Sequence, residues 1–89
     1  MTQYERIKSV FDILETVEMP KELRYNMKEA ASTAMRDGAN FGGVVVRSIK
    51  KPQGKGISTG VLHLWRFNEG GEIIPLQVTI QYTEGDDAE

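Results

Sequence analysis

The chain has 89 residues, no cysteine, one histidine and a formal charge of −2. That length fits one domain, and a fold of this size hides only about 60–65% of the surface its unfolded chain exposes. The lack of cysteine excludes a disulfide framework and thiolate metal sites, and one histidine falls short of the four ligands a structural zinc takes.

An apolar share of 39% and a charged share of 27% are those of a folding chain rather than a disordered one. Residues 1–6 lack the apolar run of a secretory signal. No stretch approaches the roughly 20 apolar residues of a membrane span. The expectation is a cytoplasmic protein, not membrane-bound, with neither metal nor cofactor.

The first element is predicted as an amphipathic helix over residues 3–18. Thr2 and Glu5 have the spacing of a capping box, in which each side chain bonds the other's free backbone N–H. Ile7, Val10, Phe11, Leu14 and Val17 then fall at helical spacing along one stripe. Pro20 disfavours helical geometry at Met19 and ends the element. A second helix, over residues 21–37, begins at Pro20 or Lys21, where a missing N–H costs nothing. Its inward face is Leu23, Met27, Ala30, Ala31 and Ala34, and Asp37-Gly38 stops it, glycine being suited to the left-handed position after a helix end. The short link predicts an antiparallel helical hairpin.

After Asn40 the period of the pattern changes to two. Residues 43–50 are rich in β-branched side chains and read as a strand. Pro52-Gln53-Gly54-Lys55-Gly56 is a turn region, and residues 58–67 form a second strand. Asn68-Glu69-Gly70-Gly71 signals a hairpin. In residues 73–82, Ile74, Leu76, Val78, Ile80 and Tyr82 alternate with Pro75, Gln77, Thr79 and Gln81, the pattern of a half-buried strand. Pro75 cannot donate to a ladder and belongs at the strand's start or on a sheet edge. The acidic tail, residues 84–89, is expected to fray. The fold class is therefore α+β, ordered ααβββ, with the helical hairpin packed on one face of a three-stranded antiparallel sheet in a single domain, 1–89.

The middle strand decides the functional reading. Either Leu62 and Leu64 face the helices, or Val61, His63, Trp65 and Phe67 do. Both sets are largely apolar, and one helical layer covers only one of them, so the other calls for a partner. Charge is uneven as well. Residues 42–66 carry Arg47, Lys50, Lys51, Lys55 and Arg66 and no acid, whereas residues 67–89 carry six acids and no base. Arg47, Lys50, Lys51, Lys55, His63, Trp65, Arg66 and Phe67 are thus the candidate binding residues, a basic hairpin loop beside an aromatic sheet face.

Such a surface suits another protein, and a second copy of the chain is the expected homo-oligomeric partner. An anionic ligand or single-stranded nucleic acid is the alternative, with bases stacked on rings and phosphates neutralised by lysine. The bland reading of the same lysines is a solvated loop that keeps an edge soluble.

Catalytic motifs fail on inspection. In residues 54–60 Lys55 precedes the second glycine and a strand follows, so a P-loop is excluded, and the third glycine comes one place late for a dinucleotide fingerprint. No serine or acid pairs with His63 by any motif. Asp12, Glu15 and Glu18 read as a solvated helix face. A winged helix needs a third helix, and Glu22, Glu29 and Asp37 on the second repel phosphate. The expectation is a non-enzymatic binding or regulatory protein, inhibitor-like or an accessory factor of phage type.

Overall fold

A computed structural model describes residues 2–50 and 56–84. The elements run α1 (Gln3–Thr16), α2 (Lys21–Arg36), β1 (Asn40–Lys50), β2 (Gly56–Phe67) and β3 (Ile73–Thr83). The strands form one antiparallel sheet in the order β1-β2-β3. This is the expected ααβββ arrangement. No helix among the described residues is long and apolar enough to cross a membrane.

Local chemistry explains the helix ends. The Glu5 N–H donates to Thr2 Oγ1 at 3.1 Å and the Thr2 N–H to Glu5 Oε1 at 2.9 Å, completing the capping box. α2 ends on Gly38 at φ 104°, where Gly38 N–H donates to the Met35 carbonyl and Ala39 N–H to that of Ala34. That pair of bonds is a Schellman closure.

α1 stops at Thr16, two residues before the predicted end, and Val17 is already extended. The cause is tertiary. Arg24 on α2 donates Nε to the Leu14 carbonyl at 3.1 Å and an η nitrogen to that of Val17 at 2.8 Å. A guanidinium thereby satisfies carbonyls left open at the helix end and meets its negative pole. At the other end of the hairpin, Gln3 Nε2 donates to the Met35 carbonyl at 2.9 Å. Each helix thus closes an end of the other.

α2 lies across all three strands, while α1 packs mainly on α2. One core joins them: Val10 and Leu14 from α1, Leu23, Met27, Ala31 and Met35 from α2, then Ala39, Leu62 and Leu64. Ser58 is the buried polar residue of the sheet, and its hydroxyl lies 2.9 Å from that of Ser48. At Gly60 an added Cβ would sit 2.3 Å from Met27 Sδ, so the absence of a side chain there lets the helix settle onto β2.

β1 begins three residues before the predicted start. Asn40 and Phe41 join the ladder opposite Trp65 and Leu64, and a bulge between Phe41 and Gly43 absorbs the extra residue. β2 likewise begins two residues early, because Gly56 and Ile57 continue the pairing with Lys50 and Ile49. The β2–β3 hairpin closes as predicted. Gly71 N–H donates to the Asn68 carbonyl, Asn68 N–H to that of Glu72, and Glu72 N–H to Asn68 Oδ1.

Candidate binding face

Opposed residues of a sheet share a face, and successive residues alternate between faces. Ser58, Gly60, Leu62 and Leu64 are buried under the helices. Their partners Ser48, Val46, Val44 and Phe41 on β1, and Tyr82, Ile80, Val78 and Leu76 on β3, share that side. The choice left open on the middle strand is therefore decided: Leu62 and Leu64 point in.

Among the described residues no helix covers the other face. From β1 it presents Val45, Arg47 and Ile49, and from β2 Ile57, Thr59, Val61, His63, Trp65 and Phe67. From β3 it presents Ile73, Pro75, Gln77, Thr79, Gln81 and Thr83. Four of the seven exposed large hydrophobic residues among those described lie here: Val45, Ile49, Phe67 and Ile73. Ile49 is 64% exposed and Ile73 59%, values far from those of a packed core. With β2 12 residues long, the face measures about 36 Å by 14 Å, or roughly 500 Å². Its apolar side chains are interspersed with Arg47, Thr59, His63, Gln77, Thr79, Gln81 and Thr83.

Trp65 and Phe67 form an edge-to-face pair with ring centroids 5.2 Å apart and planes at 87°. The indole is half-buried. It lies against the β1 bulge, where an added Cβ at Gly42 would stand 3.5 Å from Trp65 Cδ1 and 3.1 Å from the His63 carbonyl. The bulge therefore seats the indole edge while Phe67 stays open.

The predicted basic and aromatic residues do not gather in one patch. β2 runs from the β1–β2 connection to the β2–β3 hairpin, so Gly56 and Phe67 lie about 36 Å apart along a 12-residue strand. Arg47 shares the open face but stands opposite Thr59, about 20 Å along β2 from Trp65. Lys50 and Arg66 fall on the helix side, opposite Gly56 and Ile74. Lys50 lines a depression there together with Glu18 and Glu84, beside Ser48 and Ser58. Lys51 and Lys55 lie outside the described residues, as do most of the predicted turn region and the tail beyond Glu84. His63 is exposed on the open face between Gly43 and Gln77, neither a carboxylate that would orient it as a base.

The sequence reading placed Val61 with His63, Trp65 and Phe67 but missed Val45, Ile49, Ile73 and Pro75 as members of the same face. Their signal was the period of two, usable once Leu62 and Leu64 are assigned inward. The separation of Lys50 from the aromatics was legible too, because the two ends of a strand cannot meet.

The helix surface offers chemistry of a different kind. Lys28 donates to Glu15 across the helix pair and lies 5.5 Å from the Phe11 ring centroid. The bond and the charge of Lys28 hold the Glu15 carboxyl below its ordinary value. Tyr25 Oη donates to Glu29 Oε2 at 3.0 Å, which pushes the phenol up. The first pair spans the helix seam with Lys28 half-buried, and the second lies along the exposed surface of α2. Among the described residues no three or more histidine, cysteine, aspartate or glutamate side chains gather as a metal site. Comparison with family models, with curated proteins and with solved structures finds no match.

Proposed function

We propose that this chain is a small non-catalytic binding protein, an inhibitor-like or accessory regulator of the cytoplasm, that works by laying the open face of its sheet on another protein. One observation carries the reading: a two-layer fold leaves Val45, Ile49, Val61, Trp65, Phe67 and Ile73 on a face that no element among the described residues covers. The face has the makeup of an interface core. Aromatic and aliphatic side chains share it with neutral threonine and glutamine, and its only titratable groups among the described strand residues are Arg47 and His63. The edge-to-face ring pair supplies an anchor of the type that dominates binding energy. Arg47, on the same face but about 20 Å along β2 from Trp65, then belongs to the rim, steering approach rather than holding the partner.

The same ring pair favours a second reading, a binder of single-stranded nucleic acid that stacks a base on Trp65 or Phe67. Against it stand the distance from Arg47 and the placement of Lys50 and Arg66 on the other side of the sheet.

The test uses the full chain, tagged, in extract of its native host, beside a Phe67→Asp/Ile73→Asp variant and a Lys50→Ala variant. The expected partner is retained by wild type and Lys50→Ala, lost by the double variant, and held nearly as well at high salt as at low. A fluorescent oligothymidylate tests the second reading, which requires Trp65 quenching and an affinity that falls steeply with salt. Retention of the same partner, with unchanged affinity, by Phe67→Asp/Ile73→Asp would overturn the open-face reading.

A further inference from the structure

The sheet has two margins, β1 and β3, and they are built differently. Glu84 donates its backbone N–H to the Gly56 carbonyl at 2.8 Å. In an antiparallel ladder the bonded side alternates, so the even-numbered residues of β3 bond to β2. The N–H and C=O groups of Gln77, Thr79, Gln81 and Thr83 therefore point out of the sheet. Pro75 falls in the outward set, so its missing N–H takes nothing from the ladder. From residue 76 to residue 83 this margin holds no charge, no glycine and no proline, and its register with β2 is unbroken.

β1 carries the features that keep an edge from pairing: a bulge between Phe41 and Gly43, then Arg47 and Lys50. Among the described residues, one margin is guarded and the other carries no such device.

We propose that β3 pairs antiparallel with β3 of a second copy of this chain, extending the sheet to six strands about a two-fold axis at Ile80. In that register Gln77 meets Thr83 of the second copy and Thr79 meets Gln81, each pair occurring twice. These four pairs exchange eight main-chain hydrogen bonds, a number within the usual range of about 10 ± 5 for an interface. Side chains match on both faces. Thr79 opposes Gln81 on the open side, while Ile80 opposes Ile80 and Val78 opposes Tyr82 on the helix side. No charge opposes a like charge.

A second copy satisfies this pairing by symmetry, and an uncharged strand of threonine and glutamine gives a charged peptide nothing to select. An edge of eight residues presents only about 26 Å of length. Across a sheet about 10 Å thick that is roughly 260 Å² per partner, well short of the roughly 800 Å² of a standard interface, so the dimer forms reversibly, its population rising with concentration. The inference is independent of what binds the open face, but it sets two such faces side by side on one sheet.

Sedimentation velocity of the full chain through the micromolar range tests it, with circular dichroism as a check on folding. Wild type and Phe67→Asp should form the same reversible dimer. Thr79→Pro removes an outward N–H, and Thr79→Lys/Gln81→Lys sets lysine opposite lysine across the axis. Both should weaken the dimer at least about tenfold, or about 1.4 kcal/mol. The lysine variant decides the matter if Thr79→Pro fails to fold, because both of its positions are exposed. A wild type that stays monomeric overturns the proposal. So does a dimer that survives the two lysines, or one lost in Phe67→Asp and kept in the lysine variant.

Discussion

Replacing Gly60 by alanine tests the packing of the helical layer at its tightest point. The added Cβ would lie 2.3 Å from Met27 Sδ and 2.8 Å from its Cε, where carbon contacts are comfortable at about 3.5–4.0 Å. Gly60 does not have a positive φ, so its backbone accepts alanine without strain. Met27 is 0% exposed, and its thioether has no solvent to swing into. Either the side chain is forced off its rotamer or α2 lifts from β2, at a cost of about 1–3 kcal/mol. The unfolded chain loses freedom when alanine replaces glycine, which offsets about 0.4–1 kcal/mol. The net expectation is a loss of about 1–2 kcal/mol. For a domain of this size that lowers Tm by roughly 5–15 °C.

The companion variant Met27→Ala opens a cavity and should cost about 2–5 kcal/mol. In the double variant the new methyl enters the space the thioether leaves. Its loss should therefore be smaller than the sum of the single losses by at least about 1 kcal/mol. Thermal and urea unfolding followed by circular dichroism measure all three. A Gly60→Ala protein as stable as wild type, or losses that simply add, would refute the close approach of Met27 to β2.

Arg24→Met keeps the aliphatic stem and removes two charge-assisted bonds to the end of α1, so it should cost about 2 kcal/mol in urea unfolding. Asn68→Ala removes the acceptor for the Glu72 N–H and should cost about 1 kcal/mol, with the hairpin amides exchanging faster by NMR. Glu15 is held below the ordinary carboxylate range by Lys28. The stability it adds is present above that range and disappears as pH falls through the depressed value. In Lys28→Met, NMR titration of Glu15 should show the midpoint moving up, and the acid limb of the stability profile should flatten slightly, as expected of an exposed pair.

Element type and order followed from local chemistry. The capping box at Thr2 and Glu5, Pro20 between the helices, Asp37-Gly38 at the second helix end and Asn68-Glu69-Gly70-Gly71 in the hairpin each act within a few residues. Their effect can be read from the chain alone. Periods of about 3.6 and then 2 gave the inward residues of α2 and β3, although Met35 and the buried Ser32 lay outside the predicted stripe. The early end of α1 could not be read in this way, because it depends on Arg24, a residue on the next helix.

The middle strand marks the boundary between the two kinds of information. Its alternation says that Leu62 and Leu64 share one face and Val61, His63, Trp65 and Phe67 the other, but both sets are apolar enough to be buried. Only the docking of α2, with Met27 seated over Gly60, selects the first set and leaves Trp65 and Phe67 without a helical cover. Hydrophobic burial has no direction of its own. Which apolar face is hidden is decided by where a second layer fits closely enough to exclude water, and that fit exists only when distant parts of the chain meet.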